Sequence, residues 1–232
     1  MSEVVKCENL TKRYGGLTAL DQVSFTLESG RIIGLLGPNG SGKTTLIKLA
    51  NGLLVPSDGK IYLGGFEPGV ESKSIVSYLP DANYLPTWMN IQGLLEMFED
   101  FYNDFDIEKA KEMVGTLNLS MNSRLKTLSK GNKEKVQLIL AMSRKAKVYF
   151  LDEPIGGVDP AARDFILNTI ITNYSEDATV VLSTHLISDI ERVLDEVLFL
   201  DRGHLLFHRS VDEIRETEGK SVDQLFREVF RC

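Results

Sequence analysis

A glycine-rich segment near the start of the chain combines residue types that suit phosphate binding. Residues 37–44 read Gly-Pro-Asn-Gly-Ser-Gly-Lys-Thr, which matches the phosphate-loop pattern G-x-x-x-x-G-K-S/T. Glycines let the backbone curl so that successive N–H groups point into one concavity. Lys43 can neutralise the outer phosphates of a nucleotide, and the Thr44 hydroxyl is a hard oxygen ligand for Mg²⁺. The pattern predicts a nucleotide cradle; the alternative is an ordinary glycine turn between a strand and a helix.

Two adjacent carboxylates end an apolar run later in the chain. Residues 148–151 read Val-Tyr-Phe-Leu, and Asp152 and Glu153 follow them. At the carboxyl end of a parallel strand, where ligands bind, Asp152 can hold Mg²⁺ directly or through water. Glu153 can orient and deprotonate a water molecule in line with a γ-phosphate. The alternative, a pair of acids that cap the next helix, is disfavoured because Pro154 and two glycines follow instead.

Alternating strands and helices are expected to hold these groups in place. Apolar runs predict strands over residues 4–10, 23–27, 32–36, 60–63, 148–151, 179–182 and 197–200. Helical periodicity predicts helices over residues 44–54, 89–102, 106–117, 129–146, 160–174 and 187–194, and two short helices within residues 211–230. The alternation is interrupted by a purely helical stretch, residues 85–145. The fold class predicted is therefore α/β, with a mostly parallel sheet and an inserted helical subdomain.

Composition and charge limit the class of protein. The chain has 232 residues, of which 43% are apolar and 25% charged, and its net charge of −7 disfavours nucleic-acid binding through a basic surface. The longest run without a charged side chain, residues 82–95, is shorter than the roughly 20 residues of a membrane-spanning helix. No secretory signal is predicted. Cys7 and Cys232 lie at opposite ends of the chain, which favours a reducing cytoplasm and two inert thiols.

Six elements, in order along almost the whole chain, resemble the nucleotide-binding subunits of ATP-binding cassette (ABC) transporters of the small bacterial exporter type. They are Tyr14, residues 37–45, the segment Leu128-Ser129-Lys130-Gly131-Asn132, Asp152 with Glu153, the segment Gly157-Val158-Asp159-Pro160, and Ser183-Thr184-His185. The resemblance implies a single ABC ATPase domain over residues 1–232, built on a P-loop NTPase core with an N-terminal antiparallel β subdomain. It places the core and β subdomain at residues 1–84 and 146–210, the helical subdomain at 85–145 and short C-terminal helices at 211–232.

The resemblance also implies ATP and Mg²⁺ as cofactors and a role for each site residue. Glu153, His185 and Lys43 are the catalytic residues, and the metal ligands are Thr44, Asp152 and Asp81. The nucleotide-binding residues are Tyr14, which matches the aromatic residue that stacks on adenine, with Gly37, Pro38, Asn39, Gly40, Ser41, Gly42, Lys43, Thr44 and Thr45. In a head-to-tail dimer, ATP bound to one copy contacts the signature residues of the other copy: Ser129, Lys130, Gly131 and Asn132. Asp159 belongs to the D-loop.

Three departures from the family pattern concern residues near the phosphates. Asp81 stands where the family's Q-loop has glutamine; it keeps an oxygen ligand for Mg²⁺ but lacks the NH₂ donor and adds negative charge. Lys130 and Asn132 replace glycine and glutamine in the signature, and Ile155-Gly156-Gly157 replaces Thr-Ser-Gly. No phosphate-binding or carboxylate position is lost, so an active ATPase is predicted.

The helical stretch also carries acids interleaved with aromatic residues. Residues 91–108 hold six acidic side chains and no basic one. The aromatic residues among or beside them are Trp88, Phe98, Phe101, Tyr102 and Phe105. Most of these aromatic residues are expected in the core of an amphipathic helix. The family resemblance adds that residues 81–88 form part of a groove for a helix of a membrane subunit.

The function predicted is that of an ATP-binding and hydrolysing subunit that powers an ABC transporter through ATP-dependent head-to-tail dimerisation. Its expected partners are a second copy or a homologous subunit and a membrane permease, with no nucleic acid. The permease would hold it at the cytoplasmic face of the cell membrane. Export of a drug, peptide or lipid-like substrate is favoured over import. Two alternatives stay open: a soluble ABC-type ATPase that is not coupled to transport, and a regulatory ATP-binding module.

Overall fold

Two β-sheets and a set of helices make up the fold in the computed structural model, which describes residues 2–156, 158 and 160–230. The strands are β1 (Glu3–Tyr14), β2 (Leu17–Glu28), β3 (Ile32–Leu36), β4 (Asp58–Leu63), β5 (Val76–Leu79), β6 (Val148–Asp152), β7 (Thr179–Thr184), β8 (Glu196–Asp201) and β9 (His204–Ser210). The helices are α1 (Lys43–Ala50), α2 (Val70–Ile75), α3 (Ile91–Phe101), α4 (Ile107–Thr116), α5 (Lys130–Met142), α6 (Pro160–Asn173), α7 (Ile187–Ile190), α8 (Val211–Glu218) and α9 (Val222–Phe230). Short 3₁₀ turns lie at Leu125–Thr127 and Glu191–Val193.

The larger sheet is mostly parallel, as predicted, with strand order β5-β6-β7-β3-β8-β9. β3 pairs in parallel with β7 and β8, β6 pairs in parallel with β5 and β7, and β9 runs antiparallel to β8. The register sets Asp152 opposite Ser183 and Leu36 opposite Thr184. The carboxyl ends of β3, β5, β6 and β7 therefore share one edge of the sheet, where ligands bind in folds of this kind.

The smaller sheet is antiparallel, with order β2-β1-β4, and confirms the expected N-terminal β subdomain. It shares an apolar core with α1 and one face of the larger sheet. Side chains alternate along each strand of the larger sheet, so that Leu35 and Phe150 belong to this core. Leu36 and Leu151 belong to a second core on the opposite face, with buried residues of α5 and α6. The phosphate-loop strand is thus covered on both faces.

The helices between the two halves of the sheet begin at capping side chains. The carboxamide of Asn90 accepts from Gly93 N at 2.9 Å, and the carboxylate of Asp106 accepts from Lys109 N at 3.0 Å. Such caps satisfy N–H groups that the first helical turn leaves without a partner, and they fix where α3 and α4 start. The helical character predicted for residues 85–145 is confirmed, whereas the exact subdomain boundaries stay a prediction.

Several predicted elements differ from the observed ones. β5, β9 and α2 were not predicted; β5 has four residues, too few for a periodicity signal. The helix predicted over residues 44–54 ends at Ala50, because Asn51 bonds back to Ile47 O at 2.8 Å and Gly52 takes a left-handed conformation with φ +65°. The helix predicted over residues 129–146 ends at Met142.

Two further expectations concern the membrane and the thiols. No helix within the described residues has both the length and the apolar character that a membrane crossing requires. Cys7 is buried on β1, and burial raises the pKa of its thiol, which agrees with the inert role expected of it. Cys232 lies outside the described residues.

Candidate functional site

The phosphate loop joins β3 to α1 and depends on glycine at two close approaches. A Cβ on Gly37 would lie 2.1 Å from Leu200 O. Gly42 has φ +110°, and a Cβ there would lie 2.6 Å from Ala19 O. Both distances are shorter than real Cβ contacts, so larger residues would push the loop away from β2 and β8. The helix then starts at Lys43, directly behind the loop.

Lys43 is a buried cation within this loop. Its side chain is 6% exposed, and its ammonium donates to Gly37 O at 2.8 Å and to Pro38 O at 3.2 Å. The same nitrogen lies 3.9 Å from Glu153 Oε1. Burial lowers the pKa of Lys43 from its ordinary value of 10.5, while the charges of Glu153 and Asp152 oppose that shift. The Lys43 nitrogen thus lies among the loop carbonyls and beside the Glu153 carboxylate.

A hydroxyl and a carboxylate meet where β6 ends. Thr44 Oγ1 donates to Asp152 Oδ1 at 3.2 Å, and Ser183 Oγ donates to the same oxygen at 2.5 Å. Asp152 is 1% exposed, yet its other oxygen, Oδ2, has no hydrogen-bond partner among the described residues. A buried charged oxygen of this kind needs a cation or a donor.

These oxygen groups fit a magnesium ion. The hydroxyl of Thr44 and the free oxygen of Asp152 are hard ligands of the kind that Mg²⁺ prefers. Within the described residues, no group of three or more His, Cys, Asp or Glu side chains is placed to hold a metal. An ion at Asp152 would therefore take most of its coordination from nucleotide phosphates and water, as is usual for Mg²⁺.

Glu153 and His185 face each other at the same edge of the sheet. His185 Nδ1 lies 3.1 Å from Glu153 Oε2. The backbone of Glu153 is left-handed, with φ +49°, and its N–H donates to Ser183 O at 3.0 Å. A left-handed conformation is unfavourable for glutamate, and strain of this kind is concentrated at functional sites. The carboxylate of Glu153 thus reaches both Lys43 and His185.

Asp81 lies on the loop that follows β5 and is exposed. It lines a cavity of about 250 Å³ together with Asp152 and Glu153. Residues from the first two turns of α5 also line this cavity, among them Lys130 and Lys133. The structure therefore brings the predicted Q-loop residue to the two carboxylates.

The signature segment begins α5 and is open to solvent. Ser129 Oγ accepts from Asn132 N at 3.2 Å and so caps this helix. The side chain of Lys130 is 80% exposed and lies 3.6 Å from Glu134. A Cβ added to Gly131 would have no atom within 4 Å. This turn is therefore accessible to a second molecule.

No described contact joins Tyr14 to the group formed by Lys43, Asp152, Glu153 and His185. Tyr14 lies at the end of β1, 45% exposed, with the ammonium of Lys12 5.1 Å from its ring centroid. Asp159 lies outside the described residues. Conversely, Ser183 bonds to Asp152, a role that the sequence pattern does not predict. Its position at the end of a strand, where ligand-binding groups gather, was the available signal.

The aromatic residues of the helical stretch divide into two groups. Phe98 and Phe105 are buried, as expected for a core. Trp88 and Phe101 are 73% and 77% exposed. A groove of about 560 Å³ lies between the helical stretch and the β5 edge, and Tyr84, 47% exposed, is part of it. Its lining also includes Lys73, Tyr78, Phe98, Tyr102 and Arg144. An apolar groove with exposed aromatic residues nearby is typical of a binding surface.

Known proteins resemble the chain in sequence and in fold. The family model described as ABC transporter matches residues 20–156. An uncharacterized ABC transporter ATP-binding protein of Methanocaldococcus jannaschii is 33% identical over 92% of this chain and 80% of its own length. The bacitracin transport ATP-binding protein BcrA of Enterococcus faecalis is 29% identical over 96% of this chain and 74% of its own. A solved ATP-binding subunit of an ABC transporter superposes with a TM-score of 0.87 at 27% identity, covering 98% of this chain and 99% of its own.

Proposed function

This chain belongs to the ABC transporter family, and we propose that it binds ATP and hydrolyses it to power a membrane transporter. The observation that carries the proposal is the cluster at the edge of the larger sheet. There, Lys43, the Thr44–Asp152 pair and the Glu153–His185 pair surround the mouth of the phosphate loop. Phosphoryl transfer to water requires a positive charge, a metal-binding oxygen and a base, and all three lie beside this loop.

The residues of the chain divide the chemistry among them. The N–H groups of the loop and the ammonium of Lys43 bind the phosphates, and the hydroxyl of Thr44 and Asp152 hold Mg²⁺, which supplies charge neutralisation when bound. Glu153 accepts a proton from a water molecule and so makes it a better nucleophile. His185 holds the carboxylate of Glu153 through its 3.1 Å contact and presents its other ring nitrogen to the γ-phosphate. Asp81 is proposed to supply a further oxygen ligand to the metal. Tyr14 is proposed to stack on the adenine ring.

Pairing with a second copy or a homologous subunit is the proposed way to complete the site. The first turn of α5 has N–H groups without intrahelical partners, and Lys130 beside them is exposed and cationic. Such a turn can take the phosphates of ATP that is bound to another copy. Because each copy has both surfaces, two copies joined head to tail would enclose two nucleotides. Asp159 is proposed to belong to the D-loop, as the family resemblance implies.

The proposed membrane partner is a permease that seats a helix in the groove beside β5. The lining of the groove combines the aromatic residues Tyr84 and Tyr102 with the basic residues Arg144 and Lys73. A permease in this groove would hold the chain at the cytoplasmic face of the membrane. A relative named for bacitracin transport supports export of a drug, peptide or lipid-like substrate.

Two measurements test the proposal: ATP hydrolysis by the purified chain, and affinity purification of the chain from membranes. Hydrolysis of ATP per molecule should rise with protein concentration, since the complete site needs two copies. A rate that is independent of concentration would contradict pairing, and no release of ADP at any concentration would favour a regulatory ATP-binding module.

Affinity purification from membranes should recover a membrane-spanning protein. Recovery in the soluble fraction alone would favour an ATPase that is not coupled to transport.

A further inference from the structure

We propose that Ser183 is a positioning residue for ATP hydrolysis, because its single hydroxyl group contacts both acids of the site, Asp152 and Glu153. The inference rests on the proposed function and adds a residue to which that function gives no role. Ser183 is the last residue but one of β7, is completely buried, and stands opposite Asp152 in the parallel pairing of β7 with β6. The sheet register therefore fixes the hydroxyl beside the carboxyl end of β6.

The hydroxyl of Ser183 orients the carboxylate of Asp152 as a donor. Ser183 Oγ donates to Asp152 Oδ1 at 2.5 Å, and Thr44 Oγ1 donates to the same oxygen at 3.2 Å. With both donors on one oxygen, the other oxygen, Oδ2, is left without a partner among the described residues. A donor fixed on one oxygen restricts rotation of the carboxylate, as the hydrogen-bond partners of metal-binding groups generally do. Ser183 thus holds Oδ2 available for a cation, from a strand that does not belong to the phosphate loop.

The same hydroxyl is an acceptor for the backbone of Glu153. Glu153 N donates to Ser183 Oγ at 3.1 Å and to Ser183 O at 3.0 Å. This N–H belongs to a residue with φ +49°, a left-handed conformation that is unfavourable for glutamate and persists only where neighbouring groups hold it. The conformation sets the direction in which the side chain leaves the strand, towards the ammonium of Lys43 and the ring of His185. Ser183 therefore also helps to aim the proposed base.

A hydroxyl group is suited to this double role, since it has one proton to donate and lone pairs that accept. An alanine in its place would remove both contacts: Asp152 would keep only the longer bond from Thr44, and the N–H of Glu153 would keep only the backbone carbonyl. A threonine would retain the hydroxyl, whereas a cysteine would offer only a weak donor and acceptor. The side chain at this position should thus affect metal binding and the chemical step more than it affects ATP binding.

The test compares substitutions on one strand in the full chain. Ser183→Ala removes the hydroxyl contacts, Ser183→Cys weakens them, and Ser183→Thr is the rescue variant. Thr179→Val is the matched control, because Thr179 is a buried residue at the other end of β7 whose hydroxyl donates to Glu28 O at 2.8 Å. The readouts are kcat, KM and the Mg²⁺ requirement of ATP hydrolysis, affinity for a fluorescent ATP analogue with Mg²⁺ and with a chelator, and thermal unfolding without nucleotide.

Ser183→Ala should raise the Mg²⁺ concentration for half-maximal hydrolysis and lower kcat, each by about tenfold, a loss typical of residues that position metal ligands. KM for ATP at saturating Mg²⁺, and affinity in the chelator, should change by no more than about twofold because Lys43 and the phosphate loop are intact. The difference in affinity between the Mg²⁺ and chelator conditions should be smaller than in the wild type.

The other variants have their own expected results. Ser183→Cys should lie between Ser183→Ala and the wild type, and Ser183→Thr should recover most of the loss. Thr179→Val should keep the wild-type kcat and Mg²⁺ requirement. Ser183→Ala and Thr179→Val should both unfold at a temperature a few degrees lower, because each loses a buried hydrogen bond.

A Ser183→Ala protein with the kcat and Mg²⁺ requirement of Thr179→Val would overturn the inference, and so would equal losses in Ser183→Ala and Ser183→Thr. Affinity in the chelator that falls as far as affinity with Mg²⁺ would assign the hydroxyl to the fold alone. If Ser183→Ala does not fold, the same comparisons apply to Ser183→Cys. A wild-type chain that releases no ADP would contradict the proposed function itself, so the wild-type rate separates failure of that function from failure of this inference.

Discussion

The imidazole of His185 and the carboxylate of Glu153 are joined by a contact of 3.1 Å between Nδ1 and Oε2. The two residues come from the ends of neighbouring parallel strands, β7 and β6, so the sheet fixes their separation. Glu153 is 15% exposed and His185 45% exposed, which leaves the outer side of the imidazole free to meet a ligand. In the proposed mechanism, His185 contacts both the carboxylate of Glu153, which is the base, and the γ-phosphate, and so fixes their relative positions.

His185→Ala is therefore expected to lower kcat of ATP hydrolysis by about 10²-fold, the usual contribution of a group that assists proton transfer. Affinity for ATP should hardly change, because Lys43 and the loop are intact. The check is steady-state kinetics on single and double variants. Because the two residues act as a unit, adding His185→Ala to Glu153→Gln should cause little further loss. Additive losses would show that His185 acts apart from Glu153.

Lys43→Met should weaken ATP binding by about tenfold or more, since a charge-assisted hydrogen bond is worth about 1.5–3 kcal/mol. The ammonium is buried beside the loop carbonyls, so no solvent-exposed lysine can replace it. Titration of a fluorescent ATP analogue measures the effect. Lys48→Met is the matched control, because Lys48 is on the same helix but exposed. Equal affinities of the two variants would refute the role of Lys43.

Asp152→Asn should raise the Mg²⁺ concentration needed for half-maximal hydrolysis by about tenfold or more, a cost typical of metal-site residues. The nucleotide-free variant should be as stable as the wild type or more so, because the substitution removes a buried charge with one unbonded oxygen. Hydrolysis titrated with Mg²⁺ and thermal unfolding are the two measurements. Lower stability together with an unchanged Mg²⁺ requirement would make Asp152 a structural residue.

Much of this site can be predicted from the sequence because each of its groups lies directly after its strand along the chain. The loop of residues 37–44 and the pair Asp152–Glu153 each directly follow an apolar strand, and parallel strands bring their carboxyl ends to one edge. The bond from Ser183 to Asp152 could not be predicted in the same way, since it depends on β7 lying next to β6 in the sheet.

A hydrogen bond between β8 and β9, at one edge of the larger sheet, makes the stability of the fold depend on pH. His208 Nε2 lies 2.7 Å from Glu196 Oε2, and this hydrogen bond, with the charge of Arg31, lowers the pKa of Glu196 below its ordinary value of 4.5. A lowered pKa in the folded state stabilises the fold above the unfolded-state pKa. That stabilisation is lost as pH falls through the lower, folded-state value.

Glu196→Gln should therefore reduce the free energy of unfolding near neutral pH, and the difference from the wild type should shrink as the pH falls below about 4.5. Urea unfolding at several pH values measures this difference. Glu216→Gln, which changes an exposed glutamate on α8, is the control and should change little at any pH. A destabilisation by Glu196→Gln that is independent of pH would contradict the predicted role of the pair.

In the proposed mechanism, ATP joins two copies of this chain, and hydrolysis with Glu153 as the base separates them. Sedimentation of Glu153→Gln with Mg²⁺ and saturating ATP tests it most directly. The expected result is a dimer with two ATP molecules, which Lys43→Met added to the same chain should abolish. A Glu153→Gln protein that binds ATP and remains monomeric would contradict it.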